Sequence, residues 1–270
     1  MPSLTAYLER IGYTGRTRPD LETLSAITRA HLAAIPFENL DVQLAKPGGA
    51  AVDAVFDKIV ARRRGGWCYE MNTLMGWALR SIGFDVTRMA GGVMRATGGD
   101  KQIGNHLCLL VRLDQPYLVD VGFGGSLASP LPLAAGERLD RPFRVQLSQT
   151  GDGFWRFEEQ AHGASFSFDF TTDAADEALL DEKRRFLERD PASPFVQNLL
   201  LQKRDGERHL TLRGRVLGST DADGAQRRVI GSAAELVSTL HDGFGLDAPE
   251  AESLWPSICA RHAALFPQAS

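Results

Sequence analysis

The sequence predicts an α+β fold in three sections: helices first, an antiparallel sheet or small barrel in the middle, and a smaller α/β section at the end. Three observations carry this. Apolar residues recur at a helical period over about the first 85 residues, the period changes to two from Phe84, and helical and strand-like segments mix toward the end of the chain. The sections run 1–85, 86–190 and 191–270, with no internal repeat and no low-complexity linker between them.

In the first section, "LTAYLERIG" reads as a short helix that stops at Gly12. Pro19 opens a second at its first turn, "LETLSAITRAHLAAI", where Leu21, Leu24, Ile27 and Leu32 roughly share a face and Pro36 ends the run. "DAVFDKIVARR" is a third amphipathic segment, broken by Gly65 and Gly66. A fourth helix carries Met71, Leu74, Met75, Ala78, Leu79 and Ile82, a stripe at helical spacing that must pack on a core, and Gly83 stops it. The middle section follows as strands: "FDVTRMAGGVM", "NHLCLLVRL", "PYLVDVGF", "PFRVQLSQ", "GFWRFEEQ" and "SFSFDFTT", separated by turn signals such as "LDQP" and "TGDG". Phe166, Phe168 and Phe170 alternate cleanly, and the sheet is expected to end near Asp190. The last section mixes a helical "DEKRRFLERD", strand-like "HLTLRG" and "RRVIG", and a helix from about Ser232.

Composition narrows the class. The 270 residues are 43% apolar and 24% charged, ordinary for a globular protein, and the net charge of −4 gives no general attraction to nucleic acid or anionic membrane. Apolar runs such as "HLCLLV" are too short to cross a bilayer, and "MPSLTAYLER" lacks the apolar core of a secretory signal. Cys68, Cys108 and Cys259 form no C-x-x-C pair, which points to free thiols in a reducing cytoplasm.

Cys68 is the residue on which function turns. It follows two glycines and a tryptophan at the start of the fourth helix, where free N–H groups and the macrodipole favour thiolate. The glycines leave room for a substrate near the backbone, and the Cys68 amide can help to bind an oxyanion. A nucleophile needs a base, and the base an orienting group. His106 starts one predicted strand and Asp120 lies in the next, where an unpaired carboxylate would be costly. If the turn between them is odd in length or bulged, both side chains face the same side and make a Cys-His-Asp relay. A satisfied core histidine and a turn-bound carboxylate are the plain alternatives. Cys108 and Cys259 read as packing residues, and no metal-ligand spacing is present. The remaining histidines are expected in solvated or capping roles. Gly122–Gly125 can cradle a phosphate, and Arg62, Arg63 and Arg64 can meet phosphates, lie on a solvated face or pair with Glu70.

Together these segments resemble the arylamine N-acetyltransferase family. "IPFENLDV" (Ile35–Val42), "RGGWCYEMN" (Arg64–Asn72), "NHL" around His106 and "VDVGFGG" around Asp120 are similar to four of its signatures, in the same order. The resemblance thins after Pro194, and Trp67 departs from the residues common at its position. It implies a helical bundle, a β-barrel and an α/β lid, with Cys68 as nucleophile, His106 as base and Asp120 as the orienting acid. It also implies acetyl-CoA as cosubstrate with no tightly bound cofactor, Gly124 and Gly125 as contacts to it, and a small aromatic amine or hydrazine as acceptor. Phe37, Val93, Phe123 and Phe195 stand at positions like the family's pocket lining, with core packing as the alternative for each phenylalanine. A homodimer stays open.

Three rivals remain. A transglutaminase or papain-like hydrolase shares the Cys-then-His-then-acid order but has no need of "IPFENLDV". An amide synthase acting on a polyketide thioester would keep the whole relay. A non-catalytic binding module would have no reason to keep it.

Overall fold

The computed structural model describes residues 1–46, 48–125 and 127–266. Helix α1 (Leu4–Arg10) starts at Ser3, whose hydroxyl accepts the Ala6 N–H. Helix α2 (Leu21–Ala34) starts at Asp20, whose carboxylate accepts the Thr23 N–H at 2.8 Å. These caps satisfy donors that the first turn of a helix leaves without a partner. Pro19 therefore stands just before the cap, not inside the helix. Strand β1 (Phe37–Glu38), helix α3 (Leu40–Gln43) and helix α4 (Val52–Phe56) follow. The chain then makes a π turn over Asp57–Ala61, so the third predicted helix stops before the glycine pair.

Helix α5 (Cys68–Ile82) is the axis of the first section. It ends at Gly83, whose φ of 109° is open to glycine and costly for other residues. Its predicted stripe is buried, with Leu74, Met75, Ala78 and Leu79 at 0% exposure. The stripe packs with Tyr7, Leu24 and Ile27 on one side and Leu107, Leu109 and Val111 on the other. Each such side chain contributes roughly 1.5–3 kcal/mol on burial, so helices and sheet are held by a shared core.

The middle section comprises β2 (Asp85–Val93), a short α6 (Arg95–Gly98), β3 (His106–Arg112), β4 (Pro116–Val119), β5 (Leu131–Pro132), β6 (Gly136–Asp140), β7 (Phe143–Gln149), β8 (Trp155–Ala161) and β9 (Ala164–Phe170). They form one antiparallel sheet in the order β5-β4-β3-β2-β9-β8-β7-β6. The expected barrel is thus an open sheet curled around a phenylalanine-rich core of Phe123, Phe157, Phe168 and Phe170. Its end strands β5 and β6 do not pair, and β5 has two residues, too few to close a ladder. In β3, Leu107, Leu109 and Val111 face the helices, while Cys108 and Leu110 face the inside of the curl. This alternation follows from the period of two.

The sheet ends at Phe170, earlier than Asp190, because α7 (Glu177–Arg189) intervenes and docks Leu180 and Leu187 on the helical core. Then come α8 (Pro194–Gln197), β10 (Leu200–Asp205), β11 (Arg208–Arg213), β12 (Val216–Thr220), β13 (Ala225–Val229), α9 (Ala233–Phe244, capped by Ser232) and α10 (Trp255–Leu265). The second sheet has the order β1-β10-β11-β12-β13, so two residues of the first section, Phe37 and Glu38, form its edge against Gln202 and Leu201.

Candidate active site

Cys68 is the first residue of α5 and is 3% exposed. Among the described residues no acceptor takes the Cys68 or Tyr69 N–H, as expected of a first helical turn. The preceding Trp67 N–H donates to the Glu70 carboxylate at 3.1 Å, which closes the turn.

His106 and Asp120 meet as the odd-turn reading requires. The register Leu109↔Val119 and Arg112↔Pro116 leaves Leu113, Asp114 and Gln115 in the turn, and this puts His106 and Asp120 on one side of the sheet. Asp120 itself is the first residue past β4, not a strand interior position, because the chain turns there to take up new partners. His106 Nε2 lies 2.6 Å from Asp120 Oδ2, with both side chains buried. Cys68, at the head of α5, lies near enough to act on the charge of the same imidazole. Burial alone would push the His106 pKa down. The Asp120 carboxylate and the Cys68 sulfur outweigh burial and carry it up to about 10. Asp120 Oδ1 accepts from Asn72 Nδ2 and from the Gly122 N–H, each at 2.8 Å.

Glycines allow these close approaches, though not in the way the sequence suggests. A Cβ on Gly65 would lie 2.2 Å from the Pro36 carbonyl oxygen, and Gly66 bridges to Phe37. The pair makes room for the neighbouring 36–38 backbone, not for a substrate. A Cβ on Gly122 would lie 2.6 Å from the Cys68 Cα, so the Asp120 loop can lie against the head of α5 only because this residue lacks a side chain.

Aromatic rings gather on both sides of the thiol. Trp67 packs against Tyr69 at 5.1 Å and Phe195 at 5.2 Å between centroids, and Phe195 meets Phe37 at 6.1 Å. Across the site, Phe123 and Phe168 lie against the His106 ring at 5.5 and 4.8 Å. Val93 sits at the end of β2 opposite Phe168, and Asn105 Oδ1 holds its N–H. Gly124 and Gly125 have φ of 93° and 98°, and the side chains of Gln202 and Arg204 fill the space beside them. Their carbonyls accept from His209 Nε2 at 2.6 Å and Arg204 Nη1 at 2.9 Å, which ties this turn to the second sheet.

Several site features were invisible in the sequence. Glu70 pairs with Lys58 at 2.9 Å, not with the arginine triplet, and Lys58 also faces Asp41 at 3.3 Å and Glu38 at 3.7 Å. Arg64 joins this buried cluster through Asp41 and Glu38, and Arg62 pairs with Asp57. Burial would lower the Lys58 pKa, but the surrounding carboxylates hold it above its ordinary value. His31 and His209 are buried, contrary to the solvated roles expected, and burial lowers their pKa values to about 3 and about 4. The Cys108 sulfur is buried 4.0 Å from the Met89 carbonyl oxygen, with its pKa raised by burial. Among the described residues no group of three or more His, Cys, Asp or Glu side chains could hold a metal ion. Among the described residues no helix is long and apolar enough to cross a membrane. A cleft of about 630 Å³ lies between α10 and the β11–β12 turn, away from these residues.

A family model described as N-acetyltransferase matches residues 20–252, the span that holds every part of this site, and so defines the class. The arylamine N-acetyltransferase of Mycolicibacterium smegmatis is 38% identical over 254 residues, covering 90% of this chain and 92% of the relative. Human arylamine N-acetyltransferase 1 is 40% identical over 163 residues, 58% of this chain and 56% of its own. The solved structure of the Mycobacterium marinum enzyme in complex with CoA is similar at a TM-score of 0.87 and 33% identity, covering 95% of this chain and 98% of that one. The chain belongs to the arylamine N-acetyltransferase family.

Proposed function

We propose that this chain transfers an acetyl group from acetyl-CoA to the nitrogen of arylamines, arylhydrazines or N-arylhydroxylamines, in two steps through an acetyl-cysteine at Cys68. The observation that carries the reading is the 2.6 Å contact of His106 with Asp120, beside Cys68 at the head of α5, which acts on the charge of the same imidazole. Asp120 accepts a hydrogen bond from Nε2–H and so aims Nδ1 at the sulfur. The Cys68 thiolate attacks the thioester carbonyl, the Cys68 N–H stabilises the oxyanion, and the CoA sulfur leaves with a proton from His106. The amine then attacks the acetyl-cysteine, His106 accepts its proton, and the Cys68 thiolate departs.

One thioester replaces another in the first step, so the intermediate is about as stable as the donor and persists if water is kept out. Trp67, Phe37 and Phe123, all buried beside the site, serve that end. A neutral aromatic amine enters such a wall at little desolvation cost. Phe37 and Phe195 are the proposed acceptor wall, with Phe123 and Val93 on the His106 side. Gly124 and Gly125 remain proposed CoA contacts through their N–H groups, since their carbonyls are committed. The three free cysteines fit a cytoplasmic setting.

Initial rates at several fixed arylamine concentrations test the two-step order. Parallel double-reciprocal lines are expected. Converging lines mean direct transfer in a ternary complex. Rapid CoA release without amine means a hydrolase, and preference for a longer acyl thioester means an amide synthase.

A further inference from the structure

We propose that Asn72 is the positioning residue that sets the nucleophile's helix in register with the segments bearing His106 and Asp120. The inference deepens the acetyl-transfer reading and rests on it. Asn72 lies one turn after Cys68 on α5 and is fully buried. A buried amide must place its N–H and C=O groups, and here each placement falls on a different part of the site. Nδ2 donates to the Leu107 carbonyl at 2.6 Å, the peptide next to His106 in β3. Nδ2 also donates to Asp120 Oδ1 at 2.8 Å. Oδ1 accepts the Val121 N–H at 3.1 Å. One side chain thus joins the Cys68 helix, the His106 strand and the Asp120 loop.

The bonds also fix the rotation of the carboxylate. Asp120 Oδ1 has the Asn72 and Gly122 donors, and Oδ2 is left to His106. With Nδ2 gone, Oδ1 keeps one donor and the carboxylate is free to turn from His106. Spacing depends on the same amide, since a Cβ on Gly122 would come within 2.7 Å of Nδ2. An apolar replacement would leave the Leu107 carbonyl and Val121 N–H buried without partners. An aspartate would set a second carboxylate against Asp120.

The test is single-turnover acetylation of the whole chain by acetyl-CoA, followed by rapid-quench intact-mass measurement, with melting curves for every variant. Asn72→Ala should acetylate about 100-fold more slowly than wild type at every pH while still folded. Asn72→Asp keeps the volume and gives the distinguishing readout. It should be slow near pH 8 and recover roughly 10-fold toward pH 5, where the two carboxyls share a proton and an O–H replaces the Nδ2 donor. Failure of Asn72→Asp to recover overturns the donor role. Wild-type rates per folded molecule in both variants overturn the proposal as a whole. A wild-type chain that takes no acetyl group overturns the functional reading instead, and the two failures are distinct because they occur in different proteins.

Discussion

Two groups of buried charge flank the first turn of α5, and they are built differently. On one side Lys58 and Arg64 are surrounded by Glu38, Asp41 and Glu70, cation against carboxylate within 2.9–3.7 Å. On the other, Asp120 is committed to His106, Asn72 and Gly122, and His106 lies near the Cys68 sulfur, which acts on its charge. Charge is costly to bury, and each group answers that cost by pairing. The first pairs cation with carboxylate, reaches outward through Arg64 to Glu250 at 3.0 Å, and through the Glu70 bond to the Trp67 N–H fixes where α5 begins. The second is left open at Cys68, the proposed nucleophile, which is where the proposed chemistry falls. Burial of charge alone does not mark a catalytic site.

The sharpest way to break this contrast is to remove one partner from each side. Asp120→Asn takes the anion from His106 and lets the imidazole adopt the wrong tautomer, so acetyl transfer should fall by about 10⁴. Activity near wild type would make Asp120 a turn residue. Lys58→Met leaves three carboxylates around one arginine. It should cost about 3–5 kcal/mol of stability in denaturant titrations, with little change in rate per folded molecule. A normal unfolding midpoint with lost activity would reverse the two roles.

A milder change sharpens the picture of the open side. Phe195→Ala should raise the KM for an arylamine by roughly 10-fold or more, as expected from losing part of an apolar wall, and leave acetylation of Cys68 by acetyl-CoA unchanged. An effect on both half-reactions would make Phe195 a packing residue for Trp67. The smallest effect is a titration. His106 is raised from 6.5 to about 10, so its pairing with Asp120 contributes stability in full below about 6.5 and loses it as the pH rises through about 10. NMR of the imidazole should show it charged at neutral pH, and a midpoint near 6.5 would mean that Asp120 does not hold it.

The Lys58 side is the harder to read in the sequence. The order Cys68, His106, Asp120 was legible because each stands at an element boundary that local pattern reveals: a glycine-led helix start, the first residue of an apolar strand, and a glycine turn. Helix α5 was legible from its stripe and from Gly83. Lys58 gave no sign, because the partners that keep it charged come from β1, α3 and α5 and only folding assembles them. The same holds for Asn72, whose bonds reach β3 and the loop after β4. His31 and His209 were misplaced because a lone histidine carries no periodic signal of burial. The choice between an open sheet and a barrel is not legible, because a period of two says which face is buried and nothing about whether the edges meet. Strand β5, with two residues, is too short for any periodicity.

In the proposed reaction the acyl group is carried on Cys68, at the open side. The most direct measurement is intact-mass analysis after mixing the chain with acetyl-CoA in the absence of amine. One acetyl increment is expected, mapped to Cys68, absent in Cys68→Ala and discharged on adding an arylamine. An increment on Cys108 or Cys259, or no increment while acetyl still reaches the amine, would contradict it.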